Sequence, residues 1–75
     1  MARLPLLNAR EVTKILTKMG FIQLRQEGSH MFFQHPDGRT TVVPNHPGED
    51  VDRHLLNKII KHDLGISREE LLSHL

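Results

Sequence analysis

The sequence predicts an α+β domain in which a helix, a three-stranded antiparallel sheet, a second helix and a short C-terminal helix follow one another. Apolar residues recur every three to four positions near residues 12–19 and again near residues 51–60, the spacing of amphipathic helices. The stretch between these two regions has segments that alternate apolar and polar residues or are rich in aromatic and β-branched residues, as strands are. Residues typical of turns separate these segments. No repeat or linker interrupts the 75 residues, so we expect one domain over residues 1–75.

The first helix is expected over residues 9–19. Asn8 and Glu11 have the spacing of a capping box, and Leu7 before the cap can pack on Val12. Gly20 is the residue type that most often ends a helix in the left-handed conformation. Both ends of this helix are therefore specified locally.

Three short strands should follow the first helix. We expect them over residues 21–26, 30–35 and 39–43, with turns at Glu27-Gly28-Ser29 and Pro36-Asp37-Gly38. The alternation in the first strand predicts that it is half-buried, and Pro44 should end the third. One sheet face would take the helices and the other would be free. Alternation groups His30 with Phe32 and does not tell which face is theirs.

The second helix should contain the apolar residues Val51, Leu55, Leu56, Ile59 and Ile60 and should end at Gly65. Ser67 to Glu70 form a second capping-box pattern, with Ile66 placed to pack on Leu71. A short C-terminal helix is expected there.

Composition limits the possible functions. A domain of this size buries only about 60% of the surface of its unfolded chain, which favours an open binding face over a deep pocket. The chain has no Cys, no apolar run near the length of a membrane span, and no signal-like stretch in its first five residues. These features predict a cytoplasmic protein without disulfides or thiolate metal sites.

Positive charge is concentrated in the first third of the chain, although the formal net charge is only +1. Against the single acid Glu11, residues 1–25 carry Arg3, Arg10, Lys14, Lys18 and Arg25. Such an arrangement can present phosphate contacts, and it is also typical of an ordinary solvated helix face.

His30 is the leading candidate for chemistry. It follows the Gly28-Ser29 turn and begins an aromatic strand. Imidazole has an ordinary pKa of about 6.5, so it can donate or accept a proton near neutral pH. A lone histidine on a strand is more often a solvated or hydrogen-bonded structural residue.

The chain resembles the HicA family of toxin ribonucleases. The resemblance runs from the first helix to the second capping box and rests on Gly28-Ser29-His30 with Phe33, His35-Pro36-Asp37-Gly38-Arg39, Val42-Val43-Pro44, His46 and Gly65-Ile66-Ser67. It implies a fold like that of double-stranded RNA-binding domains and mRNA cleavage that arrests translation. It also implies neutralisation by a HicB-like antitoxin, and His30 as the catalytic histidine. The segment 61–64 is about one residue longer than in many members.

Metal-free RNA cleavage needs a base, an acid and donors for the charge that develops on the phosphate. His30 can supply one proton-transfer group, and the sequence does not identify the second, although Glu27 lies nearby. Backbone amides at Gly28 or Ser29 can approach a phosphate. Cationic candidates for holding the RNA backbone are Lys14, Arg25 and Arg39.

Other hypotheses stay open. Six histidines suggest metal binding, but none shows the paired spacing of a zinc site, so no metal or other cofactor is expected. Of the others, His35 and His46 border turns and are expected on the surface, where either can contact RNA. The main alternative to a ribonuclease is a non-catalytic RNA-binding module of the same fold. A regulatory interaction domain with no RNA function is a third.

Overall fold

The computed structural model describes residues 4–75. Helix α1 spans Ala9–Met19, and the strands are β1 (Ile22–Glu27), β2 (His30–Gln34) and β3 (Thr40–Pro44). Helix α2 (Arg53–Lys58) continues into a π-helical segment, Ile59–Leu64, and α3 spans Arg68–Leu72. The predicted α+β order is confirmed. Within residues 4–75, no helix is long and apolar enough to cross a membrane.

Helix α1 begins and ends as its caps predict. The side chain of Asn8 accepts from the Glu11 backbone N–H at 2.9 Å, and the Glu11 carboxylate accepts from the Asn8 N–H at 3.0 Å. Gly20 has a φ of 101°, a left-handed conformation that glycine adopts without a Cβ clash. Leu7 and Val12 are both buried in the same hydrophobic cluster, which agrees with the expected packing of Leu7 on Val12 at the N-terminal end of α1.

The three strands form an antiparallel sheet in the order β1-β2-β3. Met31 and Phe33 of β2 are buried, whereas His30 and Gln34 are exposed and Phe32 is half-buried. This pattern identifies the free face, which the sequence left open. His30 lies on it.

Strand β1 corrects a prediction. All six of its residues are exposed, and the buried aromatic Phe21 lies just before it. The helical layer packs mainly against β3, through α1 and the π-helical segment, while β1 forms the opposite edge of the sheet. Alternation alone could not predict this, because it does not tell how far the helices extend. Ile22 and Leu24 are consequently 61% and 53% exposed.

Two other boundaries differ from the prediction. Pro44 is the last residue of β3 rather than the residue after it, which an edge strand tolerates because its outer side needs no N–H donor. The second helix changes to π-helical geometry at Ile59 before it ends at Gly65. A π-helix bonds each N–H five residues back, so it holds more residues per turn than an α-helix.

The hydrophobic core lies between the sheet and the helices. The largest fully buried side chains come from α1 (Ile15, Leu16), the sheet (Phe33, Val43), and the helical segments that follow it (Leu56, Ile59, Ile60, Leu64, Leu71). At α3, the Ser67 hydroxyl accepts from the Glu70 backbone N–H at 3.1 Å, which is one of the two bonds of the predicted capping box.

Candidate active site on the free face of the sheet

The Gly28-Ser29 turn fixes the surroundings of His30. It is a two-residue hairpin loop, and Gly28 has a φ of 59° in its first position, where a positive φ favours glycine. A loop of this length makes the residues on either side of it cross-strand partners. Glu27 at the end of β1 is therefore paired with His30 at the start of β2.

The pairing places a carboxylate beside the imidazole. Directly opposed residues of antiparallel strands point to the same face, with Cβ atoms about 5 Å apart. Glu27 and His30 are both exposed on the free face. On the other side of His30, its partner in β3 is Pro44. Neither neighbour closes the imidazole off from solvent.

Arg25 completes a charged group on this face. Its guanidinium forms an ion pair with Glu27, and both side chains are more than half exposed. It also lies 4.1 Å from the ring centroid of Phe32, a cation–π contact. Arg25 pairs with Phe32 in the regular register that runs from the loop, two residues before Glu27, so its guanidinium lies on the same face as His30. A β-bulge at Leu24 shifts the register only beyond this point, where Gln23 pairs with Phe33 and Ile22 with Gln34.

The predicted site residues lie in three places. Arg25, Gly28 and Ser29 lie with His30 at one end of the sheet. Lys14 is exposed on α1, in the helical layer behind the other face of the sheet. Arg39 lies at the opposite end of the sheet, just before Thr40, which is paired with Gln34 at the end of β2. At the rise per residue of a β-strand, this places Arg39 roughly 15 Å from His30. Arg3, the first of the basic residues, is outside the described residues.

Arg39 has structural partners at its end of the sheet. Its Nη1 donates to the carbonyl oxygen of Leu64 at 2.6 Å, and its Nε donates to the Asp37 carboxylate at 2.7 Å. Its guanidinium carbon lies 5.4 Å from the centroid of the Phe21 ring. These contacts join the β2–β3 turn to the end of the π-helical segment.

His35 is half-buried rather than a surface residue. Its Nε2–H donates to the carbonyl oxygen of Met19 at 3.1 Å, because a carbonyl can only accept, and its Nδ1 accepts from the Asp37 backbone N–H at 3.1 Å. Its ring packs edge-on against Phe21, with centroids 5.1 Å apart. This histidine ties the turn to the C-terminal end of α1.

The Asp37 carboxyl in this turn has a lowered pKa. The backbone N–H of Arg39 lowers its pKa below the ordinary 3.8, and the Arg39 side chain acts in the same direction. The carboxylate is therefore held in its charged form within the turn.

Glu27 is the functional candidate that sequence reasoning undervalued. With the turn drawn as Glu27-Gly28-Ser29, Glu27 is a solvated turn carboxylate. With a two-residue loop, the same residue becomes the partner of His30. The Gly28-Ser29 pair between two polar strand ends is the signal that could have identified it.

The sequence model of a known family, described as the HicA toxin of bacterial toxin–antitoxin systems, matches residues 9–66. The match includes all three strands and the Gly28-Ser29-His30 turn. The chain belongs to the HicA toxin family. Among curated proteins, none matches the chain at a significant level.

Family membership assigns this HicA chain the toxin role in a toxin–antitoxin system and implies a HicB antitoxin as its partner. Within residues 4–75, no group of three or more His, Asp or Glu side chains is arranged to hold a metal ion. The charged group that the structure brings together consists of His30, Glu27 and Arg25.

Proposed function

We propose that this HicA chain is a metal-independent endoribonuclease that cleaves mRNA in the cytoplasm and so arrests translation. The observation that carries the proposal is the position of His30. Its imidazole is exposed on the free sheet face, opposite Glu27 and next to a turn that leaves the approach open. A large, extended substrate can reach such a site.

The proposed reaction uses the 2′-hydroxyl of the RNA as its nucleophile. Glu27 takes the 2′-hydroxyl proton as the O2′–P bond forms, and the protonated His30 gives its proton to the 5′-oxygen as the P–O5′ bond breaks. The products are a 2′,3′-cyclic phosphate and a 5′-hydroxyl. One proton enters the enzyme at Glu27 and one leaves at His30, so the step balances without water or a cofactor.

Arg25 is suited to the charge that develops on the phosphate. Ion pairs between exposed side chains contribute roughly 0–1 kcal/mol, so a phosphate competes readily for this guanidinium. A positioned cation near the phosphoryl oxygens stabilises the transition state. Gly28 leaves open space where a Cβ would lie, so the RNA backbone can approach the turn closely.

A HicB-like antitoxin would neutralise the toxin. The free face and the β1 edge expose apolar side chains near the charged group, including Ile22, Leu24 and Val42. A protein bound there would exclude RNA from His30. Mixing the chain with a purified HicB-like protein is expected to give a complex that does not cleave RNA, and failure to form one at micromolar concentration would contradict this part of the proposal.

Replacing His30 by Ala tests the function. The exposed position makes a fold defect unexpected, and loss of a general acid should lower the cleavage rate by about 10²–10⁴-fold. His62→Ala, at an exposed histidine of the π-helical segment, is the matched control and should cleave normally. If the His30→Ala chain still cleaves RNA and arrests growth, the assignment is wrong. If the unaltered chain binds RNA without cutting it, the non-catalytic RNA-binding module is the better account.

A further inference from the structure

A cleft of about 480 Å³ opens between the first turns of α1 and the loop after β3. Its walls are Asn8 to Arg10 and Thr13 on one side, the 45–48 loop on the other, and Met31 of β2 between them. Sites for small ligands commonly have volumes of roughly 300–1,000 Å³, so the cleft is large enough for a nucleotide.

The cleft lies at the same end of the sheet as His30. Met31 directly follows His30, and the alternation of β2 points these two side chains to opposite faces. The Asn45 backbone N–H donates to the Ser29 carbonyl oxygen at 2.6 Å, which joins the cleft loop to the catalytic turn. The imidazole and the cleft therefore lie at one end of the sheet, on opposite faces of it.

The lining suits an anion and a base. Arg10 and His46 are exposed, and no carboxylate is among the described residues that line the cleft. Met31 and Pro47 add apolar surface against which a base can pack.

A second cleft next to the first is lined by carboxylates, which are absent from the described residues that line the first. His46 also lines a smaller cleft of about 290 Å³, whose other walls include Glu49, Asp50 and Asp52. Carboxylates repel phosphate, so an RNA strand is directed to the Arg10 side of His46 rather than to the acidic side.

We propose that the cleft between α1 and the 45–48 loop binds a nucleotide of the RNA next to the one cleaved at His30. Arg10 neutralises its phosphate, and His46 contacts the nucleotide from the loop side. This inference rests on the proposed function and names a second contact region for the same substrate. It adds an RNA contact on the helical side of the sheet, away from the free face.

The test measures RNA affinity without cleavage. A fluorescein-labelled single-stranded RNA of mixed sequence is titrated with the His30→Ala chain and followed by fluorescence anisotropy over a range of salt concentrations. Adding Arg10→Ala should weaken binding roughly tenfold and reduce the salt slope by about 0.7, the value for one phosphate contact on a single strand. Adding His46→Ala should weaken binding roughly fivefold.

Lys18→Ala is the matched control. Like Arg10→Ala, it removes one positive charge from an exposed position on α1, but Lys18 does not line the cleft. It should change the affinity less than twofold. The inference is overturned if Lys18→Ala weakens binding as much as Arg10→Ala, or if both cleft variants bind RNA like the parent chain. It is also overturned if the cleft variants lose only the antitoxin.

The two proposals fail in different ways. If the unaltered chain cleaves no RNA, the ribonuclease proposal fails, while a selective loss of affinity in the Arg10 and His46 variants would still support the cleft. If cleavage depends on His30 but affinity is indifferent to Arg10 and His46, only the cleft is ruled out.

Discussion

His30 and Glu27 are cross-strand partners because only two residues, Gly28 and Ser29, connect β1 and β2. The two-residue loop fixes their pairing, and the regular register that follows it sets Arg25 beside Phe32 on the same face. An imidazole, a carboxylate and a guanidinium thereby come together without a deep pocket. Each position can be tested separately, because all three charged side chains are exposed.

Glu27→Gln should separate proton transfer from RNA binding. Gln keeps the shape of the side chain but cannot take the 2′-hydroxyl proton, so kcat is expected to fall by about 10²-fold or more while KM changes little. Steady-state kinetics with a single-stranded RNA substrate measure both constants.

Glu69→Gln on α3 provides the control, because it removes an exposed carboxylate far along the chain from this face. Its kcat and KM should match those of the unaltered chain. An unchanged kcat in Glu27→Gln would show that another group accepts the proton.

At the level of elements, the β2–β3 turn clamps together the helical segments behind the sheet. His35 holds the end of α1, and Arg39 holds the end of the π-helical segment, with Asp37 between them. Thr41 adds a further bond to the same segment, donating to Asp63 at 2.9 Å. The turn therefore stabilises the layer behind the sheet.

Asp37→Asn should reveal the clamp through the pH dependence of stability. The pKa of Asp37 in the folded chain is below its ordinary value, chiefly because it accepts from the Arg39 backbone N–H. Its charged form therefore stabilises the fold above about pH 4, and this contribution disappears as the pH falls through the lowered pKa. Urea unfolding at several pH values from 7 to 2.5 should show a less stable variant at neutral pH and convergence of the two chains in acid.

Glu49→Gln, at an exposed loop carboxylate, controls for the loss of one negative charge. A stability difference between Asp37→Asn and the unaltered chain that stays constant across this pH range would contradict the argument.

The sequence predicted the elements whose ends are specified locally. Asn8 and Gly20 determine where α1 begins and ends, and each acts through neighbours only a few residues away in the sequence. The turns between the strands also depend only on the residues within them. The π-helical geometry after Lys58 was not predictable from apolar spacing, because α and π segments present similar short-range patterns. The exposure of β1 depends on where the helices pack, which is a property of the whole sheet.

At the scale of the molecule, the two faces of the sheet have different tasks. The helical face holds the core, and the free face presents His30 with its charged neighbours. Sequence alternation grouped His30 with Phe32 but could not choose between the faces, since a period of two is symmetric. The cationic residues could likewise be identified in the sequence. Only the three-dimensional structure shows that Arg25 lies near His30, Lys14 on the surface of α1 and Arg39 in the β2–β3 turn.

The end groups of the cleaved RNA test the central claim most directly. The unaltered chain is incubated with a mixed-sequence single-stranded RNA without added metal, and the fragments are identified by mass spectrometry. Attack by the 2′-hydroxyl predicts a 2′,3′-cyclic phosphate on one fragment and a 5′-hydroxyl on the other, and the same RNA with 2′-O-methyl groups throughout should stay intact. Fragments with 5′-phosphate and 3′-hydroxyl ends, or no cleavage at all, would contradict the account.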